Sequence, residues 1–211
     1  MPYSKTISKI LISLFLLLAL NQMKAQDSTK TKYLLSIPPI KSFTENPVNH
    51  THGLSFGLWN LPHSKQTING INFELIGYGW MTPFLGLDDG GSMNDNLQKI
   101  NGISFGITIL SKKVNGLAIS PIITTTNITN GIQASLFNFS LMQANGIQIG
   151  LANYGNQNNG LTIGIFNWTH KSNGIQIGLV NKSKDLKGFQ FGILNINQRR
   201  TLPFINWAFK K

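Results

Sequence analysis

Two histidines separated by one residue, His50 and His52, are the first pair in the chain whose type and spacing suit a metal ion. Residues two apart on an extended strand point to the same side, so both imidazoles are able to ligate one ion. A zinc site needs three or four ligands, and a third partner for this pair is not evident from the sequence. We therefore interpret the two histidines as a solvated strand entry.

The stretch "DDGGSMNDN", residues 88–96, contains the side-chain oxygens that calcium prefers. Its spacing does not match the D-x-[DN]-x-[DN]-G pattern of a calcium loop, so we interpret it as a polar loop. Glu74 is a lone carboxylate and provides no acid/base pair. No Ser/His/Asp order, phosphate loop or nucleotide fingerprint is present. We predict a protein without enzymatic activity, with no catalytic, cofactor-binding or metal residues.

These residues belong to a chain that is dominated by a short repeat. Units that begin with glycine, usually preceded by asparagine, start at Gly53, Gly70, Gly102, Gly116, Gly131, Gly146, Gly160, Gly174 and Gly188. From Gly102 onward the glycines are 14 or 15 residues apart. Such a period indicates an array of small identical units, each too short for a helix pair.

Each unit alternates apolar and small or polar residues. One, three and five residues after the glycine the chain is apolar, as in Ile147, Ile149 and Leu151. The residues between them are small or polar, as in Gln148 and Gly150. Period-two alternation predicts a β-strand with two different faces. A helix would scatter these apolar residues around its axis.

An asparagine follows seven residues after most of these glycines, and the chain then becomes polar in "THKS" and "KSKD". We predict turns at these polar stretches, a hairpin signal at each Asn-Gly, and strands of roughly eight to ten residues. Residues 32–37, 70–80 and 202–209 are further strand candidates, which brings the total to about ten to twelve. The long insertion at 81–98 is expected to be functional or mobile.

The N-terminal residues 1–25 have the pattern of a signal peptide: lysines, an apolar run at 10–20, and a small residue at the end. Its removal takes three lysines from 18 basic residues and leaves 15 against 7 acidic ones, a net charge of +8. We predict one β domain at 26–211, with repeats at about 53–200. Cysteine is absent, which excludes disulfides and thiolate metal sites. No basic helix or aromatic and basic cluster favours nucleic acid.

Three arrangements would keep the apolar face of such strands away from water. Our main prediction is an all-β antiparallel meander closed into a small barrel of about 10–12 strands, with the apolar residues on lipid and glycine in a crowded lumen. One alternative is a β-solenoid of 14-residue coils in which the asparagines stack. The other is a soluble barrel or sandwich. Since the apolar face leaves water in all three, Ile177→Asp is expected to be severe.

The repeats "NGIQIGLANYGNQN", "NGLTIGIFNWTHKS" and "NGIQIGLVNKSKDL" resemble LA_2272-type surface repeats of exported proteins from Bacteroidetes, Leptospira and fusobacteria. The resemblance covers about 53–209 and implies a location in the bacterial envelope.

We expect a non-enzymatic protein of the outer membrane or cell surface of a Gram-negative bacterium, with a structural or interaction role. The alternative is a soluble secreted module that binds a ligand or partner through the 81–98 loop. Outer-membrane lipid or anionic polysaccharide are the expected partners, contacted through lysine-rich turns. The basic residues of those turns are Lys112, Lys113, Lys182, Lys184, Arg199 and Arg200.

Overall fold

The computed structural model describes residues 32–36, 49–60, 66–77 and 97–209. The predicted signal peptide at 1–25 and residues 81–96 of the long insertion lie outside these ranges. Within them, no helix is both long and apolar enough to cross a bilayer.

The described residues form an all-β fold. Its strands are β1 (Lys32–Ser36), β2 (Asn49–Asn60), β3 (Gln66–Gly77), β4 (Lys99–Gly106), β5 (Thr108–Ile119), β6 (Ile123–Ala134), β7 (Phe137–Ile149), β8 (Ala152–Ile163), β9 (Phe166–Ile177), β10 (Val180–Ile196) and β11 (Thr201–Ala208). They form one sheet in which the spatial order is the chain order.

Every neighbouring pair from β1 to β10 is parallel, and the fold is a β-solenoid of about eight turns. The predicted antiparallel barrel is therefore wrong, and the alternative of a solenoid with 14-residue coils is confirmed. Parallel neighbours require the chain to travel round and return to the same end between strands. Here the strands themselves make this return. Nearly all residues of each repeat belong to a strand, and the strand follows the coil around.

The repeat glycines lie inside strands, and the predicted hairpin turns at Asn-Gly are wrong. Each of the nine glycines has a positive φ, between 121° and 145°. Each also pairs in register with the next, so that Gly146, Gly160 and Gly174 form part of one column. Such φ values are disfavoured for residues with a Cβ, which explains why glycine recurs at this position.

The stretches predicted as turns, "THKS" and "KSKD", are also parts of strands β9 and β10. Within each turn of the solenoid in this region, the chain changes direction where two consecutive residues both face outward. One such place is His170 and Lys171, and the other is Leu179 and Val180. The backbone hydrogen bonds continue past the second place, since Val180 N donates to Ile165 O at 2.9 Å. The solenoid thus needs no conventional loop between these turns.

The interior of the C-terminal turns is mostly polar, and the apolar residues of the repeat lie outside, as they do in the predicted barrel. Gln148, Asn167, Thr169 and Gln176 are buried, whereas Ile177 is 41 % exposed. The small and polar residues between the apolar ones face inward because the coil is narrow. A Cβ added at Gly178 would lie 2.2 Å from the carbonyl oxygen of Gly164. The predicted crowding around the glycine-rich side is therefore present, inside a solenoid instead of a barrel lumen.

Five buried asparagines form a continuous stack that we call the inner asparagine ladder. Its members are Asn138, Asn153, Asn167, Asn181 and Asn195, and each side-chain NH₂ donates to the next Oδ1 at 2.7–2.8 Å. The first four also donate across the coil to backbone carbonyls, as Asn167 does to Ile177 O at 2.9 Å. Because these buried amides are hydrogen-bonded, the polar interior avoids much of the desolvation cost of unpaired groups.

Nearer the N-terminus the interior contains an apolar cluster together with buried polar residues such as Gln66 and Asn72. Ile68, Ile100, Ile109, Val114 and Ala118 form a fully buried cluster in β3, β4 and β5. This cluster adds hydrophobic burial to the N-terminal turns, and Leu186 is a fully buried apolar residue of the C-terminal turns.

The last strand, β11, reverses direction and pairs antiparallel with β10. It contains Pro203, which has no N–H to donate, and Phe204, a non-glycine residue with a φ of 64°. The predicted strand at 202–209 is confirmed, as is the predicted strand at 32–37, of which Lys32–Ser36 is extended. Together these features end the parallel stack.

Candidate interaction face

The outward residues one, three and five positions after each repeat glycine form a sheet surface that we call the apolar face. Ladder pairing places Ile147, Leu161 and Ile175 in its first column, and Ile149, Ile163 and Ile177 in its second. Leu136, Leu151, Ile165 and Leu179 belong to the third column. Across all nine repeats, none of these positions carries a polar or charged residue.

The apolar face is open to solvent along the described turns. The most exposed members include Leu75 at 50 %, Leu179 at 49 % and Ile193 at 65 %. Phe73 stacks between Phe56 and Phe105, with ring centroids 5.0 and 5.6 Å apart. At the other end of the face, Phe189 meets Phe209 edge to face at 5.0 Å. Exposed apolar surface of this continuity usually marks a site of interaction with a protein or a membrane.

A second stack of asparagines, the outer asparagine ladder, borders the apolar face. It consists of the residues that precede the repeat glycines: Asn69, Asn101, Asn115, Asn130, Asn145, Asn159 and Asn173. Successive side chains are hydrogen-bonded at 2.6–2.7 Å, for example Asn173 to Asn159. These bonds fix the spacing of the turns directly beside the apolar columns.

Beyond the outer asparagine ladder lies a mixed column of lysines and glutamines that also contains Ile128 and Asp185. Lys99 pairs with Lys113, and farther along Gln157 pairs with Lys171, which pairs with Asp185. This column is three residues before the repeat glycine and faces outward, on the same side of the sheet as the apolar face. Lys187 takes the place of the last asparagine beside Gly188. We call Lys99, Lys113, Lys171 and Lys187 the basic rim.

The residues first considered for metal or acid/base chemistry are not assembled into a site. Among the residues that the structure describes, no group of three or more His, Cys, Asp or Glu side chains gathers round a common point. His52 Nδ1 lies 3.5 Å from Asn69 Nδ2, where the outer ladder begins, and His50 is exposed. Glu74 is buried inside the coil, where its Oε2 accepts a hydrogen bond from Gln98 Nε2 at 2.9 Å. The polar stretch 88–96 lies outside the described residues.

The basic residues predicted to lie in turns are mostly in strands. Lys112 and Lys113 belong to β5, and Lys182 and Lys184 belong to β10. Only the pair Arg199 and Arg200, among the six residues predicted, is in a connection, between β10 and β11. The guanidinium of Arg200 lies over the ring of Trp207, 4.3 Å from its centroid. A strand constrains the direction in which a lysine side chain leaves the backbone more than a turn would.

The main prediction placed the apolar face outside, on lipid, and the structure also places it outside, on the outer surface of the coil. One signal of the correct side was present. The opposite positions hold Asn, Gln, Ser, Thr and Gly, which suit a narrow interior where amides stack. No family model, curated protein or solved structure matches the chain.

Proposed function

We propose that the protein is an exported, non-enzymatic repeat module of the bacterial envelope that binds a partner through its apolar face. The resemblance to surface repeats and the signal-peptide pattern at 1–25 support the outer membrane or cell surface of a Gram-negative bacterium as its location. A parallel solenoid favours a repeat module that binds a partner over a barrel that spans the membrane.

The observation that carries this proposal is the exposure of three adjacent apolar columns. Nine strands at a spacing of about 4.8 Å and five residues of each strand give an area of roughly 40 by 15 Å, or about 600 Å². The largest apolar patches on ordinary monomers reach about that size and are often functional. A continuous patch with no polar interruption is costly to leave in water, so a binding role explains its presence.

The earlier alternative, a ligand site in the 81–98 loop, remains a second prediction. Leu97 and Gln98, at the end of this segment, are buried, and Gln98 contacts Glu74. Residues 81–96 lie outside the described residues, and the apolar face is the surface with the stronger physical argument.

Ile177→Asp provides the test of this function. In contrast to the severe effect expected from the sequence, we expect the variant to fold, because the side chain is already 41 % exposed. The loss of column contacts and strand propensity should lower the free energy of unfolding by about 1–2 kcal/mol. Urea unfolding of the purified chain measures this value. Fractionation of expressing cells measures attachment, and we expect the variant to leave the envelope fraction.

Met142→Asp is the matched control, because Met142 is 43 % exposed but lies outside the apolar face. It introduces the same charge at an apolar site of similar exposure. We expect it to stay in the envelope fraction with the unchanged protein. If Ile177→Asp is as firmly attached as Met142→Asp while both are folded, the apolar face is not the binding surface.

A further inference from the structure

We propose that the partner of the apolar face is the surface of an anionic lipid bilayer, into which the face inserts without spanning it. This inference rests on the proposed function and identifies the partner of the same surface. Three independent features of the described residues lead to it: the pairing of the backbone, the placement of charge, and the size of the face.

The backbone behind the apolar face is fully suited to a medium without water. In a bilayer, each unpaired N–H or C=O costs several kcal/mol, which excludes most irregular surfaces. The strands from β2 to β10 pair on both sides, and hydrogen bonds such as Phe166 N to Leu151 O continue through the bends. The face therefore offers lipid only side chains, all of them apolar.

The placement of charge matches an anionic surface. The described side chains include nine basic residues, Lys99, Lys112, Lys113, Lys171, Lys182, Lys184, Lys187, Arg199 and Arg200, and two acidic ones, Glu74 and Asp185. Glu74 is buried inside the coil. The basic rim lies towards the two ends of one long edge of the apolar face, in β4, β5, β9 and β10, and the outer asparagine ladder separates Lys99, Lys113 and Lys171 from the apolar columns. Asp185 is next to Lys171 in the same column, so basic residues outnumber acidic ones along this edge by four to one. Amphipathic elements with an apolar side and flanking lysines insert about 5–10 Å into the headgroup boundary.

A second copy of the chain is the competing occupant, and it is less well suited. A stable protein pair buries about 800 Å² on each partner, whereas the apolar face offers about 600 Å². Two copies would also bring together two surfaces with the same excess of positive charge, and like charges oppose association. A bilayer requires no minimum area and supplies the opposite charge.

The experiment is flotation of the mature chain, residues 26–211, with vesicles of phosphatidylcholine alone or with about one phosphatidylglycerol in three lipids. We expect flotation with the anionic vesicles and much weaker flotation with the neutral ones. The triple variant K99Q/K113Q/K171Q should reduce binding to anionic vesicles on the order of 100-fold, since each basic residue near such a surface contributes about fivefold.

The control for the rim is K182Q, because Lys182 lies over the ring of Trp168, at 4.6 Å from its centroid, away from the rim. It should float like the unchanged protein, whereas K171Q alone should bind about fivefold more weakly. Ile177→Asp should bind at least about tenfold more weakly, because a carboxylate must then enter the headgroup boundary. Sedimentation equilibrium of each protein tests for dimers.

Equal flotation with both kinds of vesicle would overturn the role of the basic rim, and absence of flotation would overturn the proposal. A dimer that Ile177→Asp dissociates, without vesicle binding, would replace the bilayer with a second copy and leave the proposed function intact. Envelope attachment that Ile177→Asp does not affect would overturn the function and this inference together.

Discussion

Gly174→Ala, the addition of a single methyl group, is expected to destabilise the protein by on the order of 3–5 kcal/mol or to prevent folding. Two effects add at this residue. Its φ is +144°, a conformation that residues with a side chain rarely adopt. The new Cβ would also lie 2.0 Å from the carbonyl oxygen of Gly160 in the neighbouring turn, so the two turns must separate. Urea unfolding, or the soluble yield if no native protein forms, measures the effect.

The neighbouring residue supplies the control for this change. Ile175 follows Gly174, faces outward and is 38 % exposed. Ile175→Ala removes more atoms than Gly174→Ala adds, yet it should cost only about 1 kcal/mol, because the site is partly open to water. Should Gly174→Ala prove no more harmful than Ile175→Ala, the close approach of the glycine column would be wrong.

Asn167→Leu is expected to lower the free energy of unfolding by about 3–5 kcal/mol. Asn167 is 1 % exposed and occupies the middle of the inner asparagine ladder. Its side chain accepts from Asn153 at 2.8 Å and donates to Asn181 at 2.7 Å and to Ile177 O at 2.9 Å. Leucine has a similar volume but leaves these groups with fewer partners, and each unsatisfied buried group costs about 1–3 kcal/mol. Chemical denaturation measures the difference.

Asn173→Leu makes the same substitution in the outer asparagine ladder of the same turn. Asn173 is exposed and donates to Asn159 at 2.7 Å. Water replaces the lost hydrogen bond there, so we expect a cost of at most about 1 kcal/mol. If the two leucine variants lose a similar amount of unfolding free energy, the inner ladder is no more important for stability than the outer one.

The sequence predicted the repeat units well, and their in-register stacking was expected in the solenoid alternative, not in the main prediction. The glycines used to align the repeats are the same residues that have a positive φ and pair in columns, as Gly160 does with Gly174. The stacking of asparagines seven residues after the glycine, expected for a solenoid, is present in the inner ladder. Period-two alternation also correctly separated the residues of the two sides.

Two properties could not be obtained from the pattern. Alternation shows that Gln176 and Ile177 lie on opposite sides, but not which side is inside. The presence of glycine on the polar side favoured that side as the crowded interior, and the structure agrees, because the coil is narrow and amides fill it by stacking. The pattern also did not show whether neighbouring strands are parallel or antiparallel. Asn-Gly occurs in hairpins and at this mid-strand position for the same reason, the tolerance of glycine for a positive φ.

The pairing of like residues from turn to turn has a consequence for the length of the molecule. Excision of residues 160–173 would join Asn159 to Gly174 and restore the Asn-Gly pair at the junction. Gly174 would then occupy the place beside Gly146 that Gly160 now holds. The chain can thus gain or lose one turn of the solenoid, about 4.8 Å of its length, and keep every other turn unaltered. The length of the solenoid along a surface therefore changes in steps of one turn, while its cross-section stays the same.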